Sequence, residues 1–265
     1  MNICAFCGPT KQPITAEDVF PRWLSKYLRR TFHHRSFDQK MITLSGATES
    51  ERTQRVRIDA RVVCRECNND WMSGLENAVK PVLIQLITHP NRPIKILPIG
   101  SLTLASWLSC KAMVLDQLSY RQGQQNELLF SQRQRTKFQD DLIPPDRVLM
   151  WLGRTEGRGP ASGDIQVLHY SKFDTSQLKN LKAFVVTLAV NEVLLQLVAL
   201  RSTRVGGRTP TSIPFHVNPK NETWGDYVLE LWPNVPDSLP WPPPGQLMQG
   251  TFKPFAYRVG GLPLE

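Results

Sequence analysis

Four of the five cysteines in this chain fall into two Cys-x2-Cys pairs, Cys4/Cys7 and Cys64/Cys67. Each pair offers two thiolates from one tight turn, and a tetrahedral Zn²⁺ takes four such ligands at about 2.3 Å. The pairs therefore point to one structural zinc ion held by Cys4, Cys7, Cys64 and Cys67. The 56 residues between them exceed the roughly 15–20 of an ordinary zinc ribbon, so two unrelated knuckles stand as an alternative. A thioredoxin-like redox pair fits less well, because that motif follows a strand and opens a helix, and Cys4 lies too near the start of the sequence.

Between the pairs lies Glu17-Asp18-Val19-Phe20-Pro21, and Asn68-Asn69 follows the second pair. This order (CxxC, an acidic pair before Val-x-Pro, then CxxC-Asn at a helix start) resembles the HNH, or ββα-metal, nucleases over about the first 80 residues. The resemblance implies a zinc-stapled hairpin and helix that carry a phosphodiesterase site. Carried over position by position, Glu17 is an acidic ligand and Asn68 a helix-borne ligand of a catalytic Mg²⁺ or Mn²⁺. Asp18 occupies the general-base position and Pro21 the position of the family's proline. Most of the family has histidine where this chain has Asp18. With an unperturbed pKa of about 3.9, against about 6.5 for histidine, Asp18 is expected to be ionised at pH 7 but the weaker base, and it can instead bind the ion beside Glu17. The bland alternative is a capping box, Thr15-x-x-Asp18, at a helix start.

Charge favours a polyanionic partner. The chain has 32 Lys+Arg against 23 Asp+Glu, a net charge of +9, which attracts nucleic acid. Eleven basic residues face four acidic ones between Arg22 and Arg65. Arg22, Lys26, Arg29 and Arg30 fall on a short amphipathic helix opened by Pro21, with Leu24 and Leu28 one turn apart and Trp23 and Tyr27 beside them. Arg55, Arg57 and Arg61 alternate with apolar residues up to Val63, the period of a half-buried strand. These seven residues are the expected nucleic-acid contacts, against the plainer reading of solvated basic faces. His33 and His34 lie outside the base position.

The elements that must position these groups give an α+β fold. A zinc-bound, HNH-like module is expected over residues 1–90, including a helix Asn68–Leu86 with Trp71, Leu75, Ala78 and Val79 inward and Asn69 as its cap. An α+β domain follows over 91–265, with helices Leu102–Tyr120 and Glu127–Phe138. Its antiparallel strands are Arg147–Gly153, Asp164–Tyr170, Ala183–Val190, Val193–Leu200 and Asp226–Trp232, and Asn191-Glu192 makes a tight turn. The loops Arg154–Gly163 and Arg201–Pro210 are Gly- and Arg-rich. Cys110 reads as a buried apolar residue. The prolines from Pro233 to Pro244 argue against regular structure there, with Trp241 packed on the body. Ile94 to Tyr120 is apolar but contains Lys95, Lys111 and Asp116, which reads as a buried helix rather than a membrane span. No signal peptide is visible around Cys4, Cys7 and Lys11, so a cytoplasmic protein with reduced thiols is expected.

Together these features lead to the expectation of a metal-dependent endonuclease acting on nucleic acid, with double-stranded DNA as partner. The resemblance implies a setting such as restriction or phage defence. Two alternatives stand beside it. One is a zinc-stapled module that binds nucleic acid without cleaving it. The other is a structural zinc module that presents its second domain to a protein partner or a second copy.

Overall fold

A computed structural model describes residues 2–32, 37–42, 48–53, 59–123, 127–156, 163–173, 181–202 and 226–247. Strands β1 (Asn2–Cys4) and β2 (Gly8–Thr10) form an antiparallel hairpin whose turn carries the first cysteine pair. Gly8 closes that turn at a φ of +76°, a conformation in which a side chain would be strained. Strand β3 (Ile14–Asp18) leads through Pro21 into helix α1 (Arg22–Phe32). Thr15 and Asp18 both lie in β3, so the capping box does not form. Leu24 and Leu28 of α1 are buried, Trp23 and Tyr27 half-buried, and Arg22, Lys26 and Arg30 point outward. The Tyr27 hydroxyl hydrogen-bonds with that of Thr88.

A hairpin of β4 (Phe37–Ile42) and β5 (Thr48–Thr53) precedes β6 (Asp59–Cys64), which pairs antiparallel with β3. The chain then turns helical at once: α2 (Arg65–Cys67) runs through a π-helical turn, Asn68–Met72, into α3 (Ser73–Thr88). The helix therefore starts ahead of Asn68, and Asn69 lies inside it rather than capping it. The wider π turn also shifts the buried stripe to Met72, Leu75, Val79, Leu83 and Leu86, leaving Ala78 exposed.

Helix α4 (Pro98–Arg121) follows the short strand β7 (Ile94–Ile96). It is apolar around its whole circumference, as suits a helix enclosed by protein. By length and composition it could cross a membrane, yet 72% of its most apolar window is buried inside the protein. Cys110 is buried, as expected. Helix α5 (Gln132–Asp141) begins later than the expected Glu127, because Leu129 and Phe130 donate their N–H groups to the Asp116 carboxylate. Ser131 and Gln134 then form a capping box.

Strands β8 (Val148–Arg154), β9 (Gly163–Phe173), β10 (Leu181–Val190), β11 (Val193–Ser202) and β12 (Val228–Trp232) join β4 and β5 in one sheet of order β12-β8-β11-β10-β9-β4-β5. Its pairings are antiparallel except that β4 runs parallel to β9. Asn191 supplies the left-handed residue (φ +51°) in the turn between β10 and β11. Strand β13 (Leu239–Trp241) pairs with β7, so the proline-rich stretch contains a short strand after all. Pro240 is accommodated because this ribbon has only two strands, and proline is tolerated at a sheet edge. Trp241 is buried there. One continuous apolar core runs from Cys4 to Trp241, and α4 lies at its centre.

Candidate metal centre and carboxylate cleft

The β1–β2 turn and the β6–α2 junction bring both cysteine pairs together, with all four sulfurs within 4.8 Å of one another. An ion with four sulfurs at about 2.3 Å in a tetrahedron separates them by about 3.8 Å, and Cys7 Sγ lies 3.7 Å from Cys64 Sγ. The cysteines are free thiols, placed so that together they can hold one metal ion. Backbone amides already point at the cluster: Cys64 N donates to Cys4 Sγ at 3.3 Å and Phe6 N at 3.5 Å. A hydrogen bond from the Cys67 thiol and these amides pull the Cys4 pKa down to about 4, against the effect of burial. Burial and the neighbouring Cys4 sulfur push Cys7 up to about 12, and the Cys4 contact followed by burial raises Cys67. A metal ion binds cysteines as thiolates, so an ion taken up by raised thiols such as Cys7 and Cys67 displaces their protons.

Neighbouring groups brace this cluster. Phe6, in the first turn, packs edge-on against Trp71 at 4.8 Å, and Trp71 packs against Phe138 of α5 at 5.9 Å. The Phe6 carbonyl accepts hydrogen bonds from the Gln132 and Thr136 side chains. At the far end of α4, Arg121 donates to the carbonyls of Ile3 and Arg61.

Beside the cluster, Glu17, Asp18 and Asn68 line one open cleft together with Thr15, Ala16, Pro21, Arg22, Trp23, Asn69 and Glu76, with a volume of about 410 Å³. Three groups chosen from the sequence, two on a strand and one about fifty residues later on a helix, thus meet in space. Asn68 donates its amide to Thr15 Oγ1 at 3.0 Å and Ala16 O at 3.4 Å. A register shift between Thr15 and Glu17 re-aims the strand, as β-bulges do. Glu17 ends up 6% exposed.

No family model, curated protein or solved structure matches this chain. The arrangement of its own side chains therefore carries the functional argument.

Glu17 is already ion-paired. Its Oε1 lies 2.5 Å from Nζ of Lys111, which reaches out of α4 and also meets Glu76 Oε1 at 2.6 Å. Burial pushes the Glu17 carboxyl above the usual range, opposed by the Lys111 charge. Burial also disfavours the ammonium of Lys111, yet the two carboxylates outweigh it and raise its pKa. Asp18 is paired as well: Arg22 Nε donates to its Oδ2 at 2.6 Å. Asp59 lies directly across the strand pair and hydrogen-bonds to it. Burial first and Asp59 second raise the Asp18 pKa, with Arg22 pulling the other way. The sequence-based expectation of an unperturbed carboxylate is corrected by this environment, which makes Asp18 a stronger base than an ordinary aspartate.

The other expected contacts separate into three groups. Arg22, Lys26, Arg30 and Arg61 are exposed, and Arg29 is half-buried. Arg22 is committed to Asp18. Arg55 and Arg57, like His33 and His34, lie outside the described residues, as do most of the two Gly- and Arg-rich loops. Sequence reasoning missed Lys111, Glu76 and Asp59. A single lysine in the middle of an apolar helix was the available signal, because a buried ammonium demands a carboxylate. Glu76 lies two turns beyond Asn68, on the same side of the helix.

Proposed function

We propose that this chain is a metal-dependent endonuclease that hydrolyses phosphodiester bonds of nucleic acid, with double-stranded DNA its expected substrate, and that its N-terminal part is an HNH-like module stapled by zinc. The observation that carries this reading is the convergence of Glu17, Asp18 and Asn68 in one open cleft against the four-cysteine cluster. The succession β3, β6, helix supports it, since strand, strand and helix are the parts of a ββα-metal module. Four thiolates at tetrahedral spacing suit Zn²⁺.

The donor chemistry of the cleft fits a hard divalent ion. Glu17, Asp18 and Glu76 line the cleft with three carboxylates, and Asp59 adds a fourth beside Asp18, against the two cations Arg22 and Lys111. A cleft with that balance repels a phosphate and attracts Mg²⁺ or Mn²⁺. Glu17 and the Asn68 side-chain oxygen would hold the ion. When bound, it would supply Lewis-acid stabilisation of charge on the phosphate and the departing 3′-oxygen. Asp18 takes the proton of the attacking water, and its raised pKa suits that step better than an ordinary aspartate's. Arg22 and Asp59 hold the Asp18 carboxylate in place. Lys26 and Arg30, exposed on α1, would meet backbone phosphates without reading sequence.

The test is incubation of the purified, zinc-loaded chain with supercoiled plasmid in Mg²⁺ or Mn²⁺. Nicked and linear products that disappear with Glu17→Gln and Asp18→Ala are expected. Wild-type protein that leaves DNA and RNA intact with every divalent ion tried refutes the reading. A specific observation favours a second one in that event: both candidate catalytic carboxylates already carry a cation, Lys111 on Glu17 and Arg22 on Asp18. A non-cleaving, zinc-stapled nucleic-acid-binding module would then show salt-sensitive binding that Glu17→Gln leaves unchanged.

A further inference from the structure

Lys111 is 1% exposed in the middle of an apolar helix, and its ammonium is nonetheless fully coordinated. It meets Glu17 Oε1 at 2.5 Å, Glu76 Oε1 at 2.6 Å and the Asp18 carbonyl oxygen at 3.2 Å. These three contacts use all three donors of the group. The carboxylates come from β3 and α3, so one cation fastens together the two elements that form the cleft walls. Its geometry is that of a small cation held by carboxylate and carbonyl oxygens, supplied by the chain itself.

We propose that Lys111 is a positioning residue that serves as the resident cation of the cleft, fixing Glu17 and Glu76 side by side and opposing the binding of a free divalent ion at Glu17. The ion is then held firmly only when a phosphate of the nucleic acid adds its own negative charge. The proposal rests on the reading of the cleft as a phosphodiester site. Its physical basis is charge: a unit positive charge about 4 Å from a divalent ion weakens that ion's binding by at least about tenfold, even in a water-like medium.

The test reads ion binding, not cleavage. Mn²⁺ is titrated calorimetrically into the zinc-loaded full chain and its variants without nucleic acid. Lys111→Met keeps a long side chain and removes the charge. Its Mn²⁺ affinity is expected to rise at least about tenfold over wild type, and its melting temperature, lowered without Mn²⁺, to recover when Mn²⁺ is added. Glu76→Gln, at a side chain that is 24% exposed, removes one carboxylate and is expected to weaken Mn²⁺ binding. For wild type, a duplex with phosphorothioate linkages is expected to tighten Mn²⁺ binding. A folded Lys111→Met protein that binds Mn²⁺ no more tightly than wild type overturns the proposal. If Lys111→Met fails to fold with or without Mn²⁺, Lys111→Gln, which removes the charge but keeps a hydrogen-bonding end, takes its place: a Mn²⁺ affinity at least about tenfold above wild type upholds the proposal and an unchanged one overturns it. A wild-type protein that never cleaves nucleic acid would sink the nuclease reading while leaving these binding results to decide the role of Lys111.

Discussion

Replacing Cys64 by serine tests the metal centre at its most structural member. Cys64 is completely buried, ends β6, forms the N-cap of α2 and donates its amide to Cys4 Sγ. A structural zinc site of four thiolates contributes roughly 10–16 kcal/mol of binding free energy, so one ligand in four corresponds to roughly 2.5–4 kcal/mol. A serine hydroxyl among Val62, Val63 and the remaining sulfurs adds about 1 kcal/mol or more if it finds no partner. The total is a large share of the roughly 5–15 kcal/mol that keeps a domain folded. At about 2–4 °C per kcal/mol for a chain of this size, the melting temperature should fall by about 10 °C. Elemental analysis should find about one zinc per wild-type chain and less in Cys64→Ser, and circular dichroism reads the melting shift. Chelation should expose Cys7 to alkylation first, since it is the one exposed thiol of the four. Wild-type protein without zinc, or a Cys64→Ser protein with full zinc and an unchanged melting temperature, would refute the reasoning.

Asp18→Ala should lower plasmid cleavage by roughly 10²–10⁴-fold, the usual worth of a positioned base, while zinc content is unchanged. The acid limb of the wild-type rate profile should lie above that of an ordinary carboxylate, because burial and Asp59 raise the Asp18 pKa. The linked stability has the opposite sign to that of a salt-bridged acid: folding prefers protonated Asp18, so Asp18→Asn should be more stable than wild type at pH 7. That difference should close as the pH falls through the raised pKa, as paired thermal melts across pH would show. Reversing Lys26 and Arg30 to Glu should weaken DNA binding alike on all sequences and flatten its salt dependence in filter-binding titrations. Arg135→Met takes the ion-pair partner from the fully buried Asp116, which keeps the Leu129 and Phe130 amides, and should cost about 3–5 kcal/mol in urea unfolding.

How much of this was legible in the sequence depended on whether a signal was local. The cysteine pairs, α1, and the strands β8, β10 and β11 announce themselves through spacing and period, and each lies close to where those patterns put it. The start of α5 was misplaced because the Leu129 and Phe130 amides are taken by Asp116, thirteen and fourteen residues away. No periodicity in the helix itself records that competition. Strand β13 was missed because its pairing with β7 is made possible by a partner about 145 residues earlier, while the local prolines argued the other way. The cleft was half-visible. Glu17, Asp18 and Asn68 were chosen on their order in the chain, but the protonation of the two carboxyls depends on burial and on Lys111, Asp59 and Arg22, all of which belong to other elements.

Helix α4 explains why the first ninety residues and the remainder do not behave as strangers to one another. It is apolar enough to serve as the common core, and its two buried charges face different tasks. Lys111 binds the two carboxylates that face each other across the cleft. Asp116, one and a half turns further on, gathers Arg135 and the amides that precede α5. Helix α5 in turn holds the Phe6 carbonyl in the first cysteine turn. Meanwhile β4 and β5, which belong to the early part of the chain, extend the large sheet through β9. Cutting between residues 90 and 91 would therefore remove the counterion of Glu17, the bracing of the Cys4–Cys7 turn and the apolar surface that covers Leu83 and Leu86. The four-cysteine cluster lies within the early part of the chain, but the cation that pairs with Glu17 and Glu76 in the cleft beside it comes from a helix later in the sequence.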